Sequence, residues 1–269
     1  MPKVKISNVE FDNSFPLSLI AGPCQLESKA HAFNMAEDLD RIADRLGIGF
    51  VFKTSFDKAN RTSINGKRGL GIEEAISIFS ELKSYVPILT DIHEPWQAKE
   101  IAGVVDCIQI PALLCRQTDL LKAAAETGLP VNVKKGQFMS PYDMKNVVEK
   151  LNGYGTDAVL LTERGTTFGY NNLVSDMRSL SIMSGKGNPI IFDATHSAQS
   201  PGGLGEASGG DREVSKILAK AAVATGIAGV FIECHQDPDN APSDGPCMTR
   251  LSDMEELLKR LMDIDRVVK

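Results

Sequence analysis

Eight times along the chain, a short apolar run with the character of a β-strand stops at a cluster of reactive or polar residues and gives way to a helical stretch. The first is Leu17-Ser18-Leu19-Ile20, which breaks at Ala21-Gly22-Pro23-Cys24. The strand segments span residues 17–24, 49–56, 87–92, 107–112, 131–135, 158–164, 189–196 and 229–235, and the helical ones 31–46, 72–83, 97–104, 117–127, 141–151, 174–183, 211–225 and 252–262. Runs this short and apolar suit strands covered on both faces better than half-exposed ones. Strict alternation over about 250 residues is the size expected of an α/β chain closed into a (β/α)8 TIM barrel. An open doubly wound sheet shows the same alternation, because periodicity does not report closure. Residues 4–14 read as a short N-terminal hairpin, and with no linker or internal repeat beyond the alternation, residues 1–269 read as a single domain.

In a closed barrel the C-terminal tips of all strands share one face, so function is to be sought at the tips. A chain of 269 residues with 42% hydrophobic and 24% charged residues buries a large core without disulfides. No apolar stretch reaches membrane-spanning length, and the first thirteen residues lack the basic start and apolar centre of a signal peptide, so a cytoplasmic enzyme is expected. Five cysteines, Cys24, Cys107, Cys115, Cys234 and Cys247, form an odd set without zinc-knuckle spacing, and reduced thiols are the default. A net charge of -6 argues against a nucleic-acid partner.

Against that acidic balance, the tips and the loops after them carry Lys53, Lys58, Arg61, Lys67, Arg68, Arg116, Lys134, Lys135 and Arg164. A basic mouth on an acidic protein expects small anions, with arginine offering a planar fork and lysine a compact charge. Lys53, Lys135 and Arg164 stand inside or at the end of apolar strands, where a charge needs a partner. Lys67 and Arg68 read equally well as solvated loop charges.

A second constellation differs in chemistry. Cys24 ends the first strand, His196 ends the seventh, Glu233 lies in the eighth and Asp244 follows in Ser243-Asp244-Gly245. Thiolate, imidazole and two carboxylates suit a divalent transition metal such as Zn, Fe or Mn better than hard Mg. Each of the four also has an ordinary structural explanation. Alternation sets Cys234 on the opposite face from Glu233. The stretch from Gln199 to Gly210, with its run of glycines, reads as a mobile loop over the site or as a plain connection.

The motifs Lys53-Thr54-Ser55-Phe56-Asp57-Lys58-Ala59-Asn60-Arg61-Thr62, Asp91-Ile92-His93-Glu94-Pro95, Gln109-Ile110-Pro111-Ala112, Arg116-Gln117-Thr118-Asp119, Asn132-Val133-Lys134-Lys135-Gly136-Gln137-Phe138 and Arg164-Gly165 with Phe168-Gly169-Tyr170 together resemble one family. It is the family of 3-deoxy-D-manno-octulosonate 8-phosphate synthases, also called 2-dehydro-3-deoxyphosphooctonate aldolases. The resemblance runs through nearly the whole chain. It implies a (β/α)8 barrel, usually a homotetramer, that condenses phosphoenolpyruvate with D-arabinose 5-phosphate and releases phosphate in lipopolysaccharide biosynthesis.

Carried over residue by residue, the resemblance implies that Lys135 and Arg164 hold the phosphoenolpyruvate phosphate, with Lys53 and Lys58 near its carboxylate and reacting carbons. Asn60, Arg61 and Thr62 take the sugar phosphate, and Arg116 reaches its phosphate from a neighbouring subunit. Gln109 and His93 line the reacting centre, with His93 as a proton-transfer or water-positioning group, and Lys53, His93 and Asp244 are the expected catalytic residues. Cys24 and the Ser243-Asp244-Gly245-Pro246 turn resemble the metal-dependent branch, since the metal-independent branch carries asparagine at the Cys24 position. Cys24, His196, Glu233 and Asp244 are then the expected ligands. Three rivals stand beside this reading: a Schiff-base aldolase using Lys53 or Lys135, a heptulosonate 7-phosphate synthase using a four-carbon aldose, and a catalytically silent barrel.

Overall fold

The computed structural model describes residues 3–61, 63–185, 187–203 and 209–269. Eight strands, β1 (Ser18–Gly22), β2 (Phe50–Lys53), β3 (Ile88–Asp91), β4 (Cys107–Ile110), β5 (Val131–Lys134), β6 (Val159–Glu163), β7 (Ile190–Asp193) and β8 (Gly229–His235), run parallel to their neighbours. Each pairs with the next in chain order. β8 pairs with both β7 and β1, which closes the barrel and excludes the open sheet.

Among the described residues, eight helices surround it: α1 (Lys29–Leu46), α2 (Ile72–Leu82), α3 (Pro95–Ile101), α4 (Thr118–Ala125), α5 (Met144–Gly153), α6 (Arg178–Ser184), α7 (Arg212–Val223) and α8 (Leu251–Val268). The first shows how local sequence sets them. The Ser28 hydroxyl accepts from the His31 N–H at the start, worth about 1 kcal/mol, and Gly47 ends the helix at φ 67°. Between them Ala32, Met35, Ala36, Leu39, Ile42 and Ala43 bury one face at helical spacing. Among the described residues no helix is long and apolar enough to cross a membrane.

Several boundaries differ from the sequence reading, the last helix running to Val268 rather than ending at 262, and two of the differences have a local cause. The seventh strand ends at Asp193, not at His196, because the Asp193 carboxylate accepts from the His196 N–H and caps a one-turn helix, Ala194–Ser197. The sixth helix begins at Arg178 rather than near residue 174, because Leu173–Val174 pairs antiparallel with Thr166–Thr167 in a small ribbon above β6. Residues 204–208 of the glycine-rich stretch lie outside the described residues, as does Thr62.

Strand alternation divides the apolar core into two zones, one outside the barrel and one within it. Outward residues such as Leu19, Phe52, Ile108, Val133, Phe192 and Cys234 pack on the helices in the main core. Inward residues Ile20, Val51, Leu89, Cys107, Leu160, Ile191 and Phe231 form a separate apolar layer. The N-terminal hairpin, Val4–Ile6 paired with Val9–Phe11, plugs this layer with Val4, Ile6, Val9 and Phe11. One step toward the C-terminal tips, the same inward faces carry Lys53, Asp91, Gln109, Asn132, Lys134, Thr162, Asp193 and Glu233, all buried. The barrel is thus hydrocarbon at its closed end and charged at its open end.

Candidate active site

A cavity of about 570 Å³ opens over the charged zone, a size within the usual range for small-molecule sites. Lys53, Lys58, Arg61, His93, Gln109, Lys134, Arg164, His196 and Asp244 line it together.

Its cations are held by a lattice of buried acids. Lys53 Nζ donates to Glu233 Oε1 at 2.7 Å, with Lys58 Nζ 3.9 Å from the same oxygen. Lys134 Nζ donates to Asp193 Oδ2 at 2.6 Å and lies 3.7 Å from the centre of the Phe231 ring. Burial lowers the pKa of Lys134 despite the Asp193 charge, and lowers that of Arg164 as well. Burial also opposes the charge on Lys58, but Cys24, Glu233, Asp91 and Asp244 outweigh it and raise its pKa. One guanidinium nitrogen of Arg164, Nη1, is buried with no hydrogen-bond partner. Such a group left unpaired costs about 1–3 kcal/mol or more, which an incoming anion recovers.

His93 lines the same cavity. Its backbone N–H donates at 2.7 Å to Gln97 Oε1, which also accepts from the Glu94 N–H in the capping box that starts α3. Nε2 is 3.1 Å from Asp91 Oδ2, and Nδ1 is buried without a partner. With its proton directed at Asp91, the ring keeps a lone pair free on Nδ1. Burial would raise the Asp91 pKa, but the hydrogen bond from His93, then Lys53 and Lys58, hold it well below the usual carboxylate range.

The expected metal ligands converge as well. Donor atoms of Cys24, Glu233 and Asp244 lie within 4.8 Å of one another, with Cys24 Sγ 3.0 Å from Asp244 Oδ2. His196 faces them, its Nε2 3.6 Å from Glu233 Oε2. Asp193 Oδ2 is 2.8 Å from Nδ1 of His196 and accepts the hydrogen bond of the ring N–H there, which leaves the Nε2 lone pair aimed at the cluster. Glu233 Oε2 is buried and accepts no hydrogen bond. Burial first, then the Asp244 and Glu233 charges, push the Cys24 thiol well up. A buried thiol between two carboxylates, with an idle carboxylate oxygen and an oriented imidazole, fits a divalent transition metal.

The backbone supports this cluster at two costly points. A Cβ on Gly22 would sit 2.0 Å from the Lys53 carbonyl oxygen, so β1 and β2 approach closely only with glycine there, two residues before Cys24. Asp244 itself adopts φ 53°, a left-handed conformation that aspartate tolerates better than most residues.

Glu27, His31 and His235 also bring ligand atoms within 4.8 Å of one another. Their hydrogen bonds argue against a metal. The Asp237 N–H donates to His235 Nδ1 at 3.0 Å, which puts the ring proton on Nε2, facing Glu27 Oε1 at 3.0 Å. That nitrogen is a donor to the carboxylate rather than a ligand.

Among the anion residues, Asn60 and Arg61 line the cavity, and Arg61 is braced by Gln25 Oε1 at 2.9 Å and by the Lys67 carbonyl at 2.8 Å. Arg116 is exposed and does not line it. Lys135, expected at the anion, points away. Its fully buried Nζ donates to the carbonyl of Gly136 and to Thr166 Oγ1, 3.5 Å from Glu163 Oε1. The cause is alternation: Val131 and Val133 face the helices, so Lys135 joins that side while Asn132 and Lys134 face the barrel axis. Lys134 therefore takes the cavity position that the sequence reading gave to Lys135.

Asp91, Asp193 and Gln199 are site residues to which sequence reasoning gave no role. Asp91 lies two residues before His93 and Asp193 three before His196, a spacing that marks an orienting acid. Gln199 carries no such signal.

The model of the DAHP synthetase I family matches residues 3–269. A 2-dehydro-3-deoxyphosphooctonate aldolase of a Chelativorans species is 62% identical, covering 100% of this chain and 98% of that protein. Proteins of the same name from Bartonella bacilliformis and Brucella anthropi are 59% and 60% identical over 99% of this chain, and 95% and 97% of their own lengths are covered.

Proposed function

The chain belongs to the DAHP synthetase I family, and from that membership we propose that it is a metal-dependent 2-dehydro-3-deoxyphosphooctonate aldolase, condensing phosphoenolpyruvate with D-arabinose 5-phosphate and water. The observation that carries this reading is a cavity lined by a cation set together with His196 and Asp244, with buried Cys24 and Glu233 directly behind them. Near 60% identity over whole lengths to proteins bearing that name favours the five-carbon sugar over the four-carbon aldose of a heptulosonate synthase.

Arg164 and Lys134 bind the phosphoenolpyruvate phosphate, and Lys53 and Lys58 its carboxylate. Asn60 and Arg61 orient the sugar phosphate, which Arg116 of a neighbouring subunit completes in a homotetramer. C3 of phosphoenolpyruvate attacks the aldehyde carbon, water adds at C2, and phosphate leaves by carbon–oxygen cleavage. His93 Nδ1, with its free lone pair, accepts the proton of the attacking water while Asp91 steadies the resulting charge. Gln109 is held by Asn132 Nδ2 at 3.1 Å and packs the floor beneath the reacting carbons. Cys24, His196, Glu233 and Asp244 would hold a divalent metal, which would supply Lewis acidity toward the sugar aldehyde. Lys53 is engaged with Glu233, which disfavours a Schiff base there. The cytoplasm is the expected compartment.

The test is phosphate release from phosphoenolpyruvate with arabinose 5-phosphate, and in parallel with erythrose 4-phosphate, before and after chelation and with Zn, Fe or Mn restored. Activity on the five-carbon sugar, lost to chelator and regained with metal, supports the reading. Chelator-resistant activity refutes the metal's role, preference for erythrose 4-phosphate refutes the substrate, and inactivity with every metal revives the silent barrel.

A further inference from the structure

Gln199 opens a two-residue strand, Gln199–Ser200, that pairs antiparallel with Gly209–Gly210 and so ties together the two ends of the glycine-rich stretch. Its amide lies between a cation and an anion. Arg164 Nη2 donates to Gln199 Oε1 at 2.8 Å, and Gln199 Nε2 donates to Asp244 Oδ1 at 2.8 Å. The opposite charges at its two ends fix which way the amide points. The other oxygen of Asp244, Oδ2, faces Cys24 Sγ, so this carboxylate is engaged on one side by the donor cluster and on the other by Gln199. Arg164 is divided in the same manner, with Nη2 held and the buried Nη1 unpartnered.

We infer that Gln199 is a positioning residue that couples the metal half of the site to the anion half. The inference rests on the metal-dependent reading above. A cation held by Asp244 fixes that carboxylate, and through the amide it fixes the guanidinium with Nη1 presented before any anion arrives. The anion then meets an arginine already ordered, so the ordering cost falls on the first ligand and is absent for the second. By linkage the anion raises metal affinity by the same factor. A carboxamide suits the post because one planar group accepts from Arg164 and donates to Asp244. Glutamate would repel Asp244, and methionine fills the volume with neither function.

The test uses the full-length protein stripped of metal and titrated with Cd2+, followed by thiolate-to-metal absorption, with and without phosphoenolpyruvate. Couplings between sites are typically about 5–150-fold, and for the wild type we expect phosphoenolpyruvate to tighten Cd2+ about tenfold. In Gln199→Met and Gln199→Ala the coupling drops below about twofold, whatever the affinity for Cd2+ alone. Persistence of the wild-type coupling in both variants overturns the inference, as does independent binding of the two ligands in the wild type. Equal weakening of both ligands with coupling intact assigns Gln199 a merely structural role and also overturns it. A wild type without thiolate absorption overturns it together with the metal reading, and that outcome is distinct from the others.

Discussion

Lys134 and Lys135 are adjacent, identical in type and both buried, yet their replacement by methionine is expected to damage different properties. Lys135→Met removes an ammonium that ties the loop after β5 to the loop after β6, through Gly136, Met139, Gly165 and Thr166. Breaking a buried ion pair costs about 3–5 kcal/mol. Glu163 keeps three hydrogen bonds, from the Arg164 and Gly165 N–H groups and from Ser179 Oγ, which argues for the low end. At ~3 kcal/mol, and about 2–4 °C per kcal/mol for a domain near this size, the melting point falls by ~6–12 °C. Lys134→Met leaves Asp193 paired with His196, so it melts nearer the parent, but it removes a cation from the cavity. Loss of one preorganised group of this kind costs about 100- to 1,000-fold in rate. The assay is initial phosphate release against phosphoenolpyruvate concentration at saturating sugar phosphate, beside thermal melts of both variants. The reverse result, Lys135→Met losing kcat/KM with an unchanged melt while Lys134→Met keeps its rate, would refute the assignment by alternation.

Three further outcomes follow from the same geometry. Asp193→Asn frees the His196 ring to take the other tautomer, and metal affinity read by Cd2+ titration should fall about 10- to 100-fold; unchanged affinity removes Asp193 from its orienting role. Gly22→Ala forces a Cβ to within 2.0 Å of the Lys53 carbonyl, so β1 or β2 must shift. Overpacking of this kind costs about 1–3 kcal/mol, so both melting point and activity should drop, and a variant with parental melting contradicts the close approach. Asp91 has a folded pKa depressed below the ordinary 3.8, so its stabilising contribution is complete above that value and is lost as pH falls through the folded pKa. The stability gap between wild type and Asp91→Asn in denaturant melts should therefore shrink as pH drops below about 4, and a gap that widens on acidification reverses the sign and defeats the argument.

The repeat of eight runs was legible because strands covered on both faces leave unbroken apolar segments, and each break fell at a tip. Closure was not, since it depends on β8 meeting β7 and β1 at once. Cys24, Glu233 and His196 were readable as neighbours because they follow or lie in strands that a barrel sets side by side, although the Asp193 cap, not the strand itself, delivers His196. The two lysines after Val133 show the limit. Alternation fixes that they point opposite ways, but which one faces inward depends on a register that two consecutive lysines do not reveal. Gln199 was illegible for a different reason: its partners stand 35 and 45 residues away and only the folded loop joins them.

Among the described residues, the hairpin closes the base of the barrel and leaves the cavity to open at the strand tips. With Phe11 and its neighbours filling the closed end, nothing drains through the axis. Both reactants and both products of the proposed condensation must share one threshold. Whichever reactant lodges deeper has to enter first, and its successor cannot do so until the exit has cleared. Turnover is thereby a matter of queueing as much as of bond making, and the order of arrival is written into the architecture before any chemistry begins.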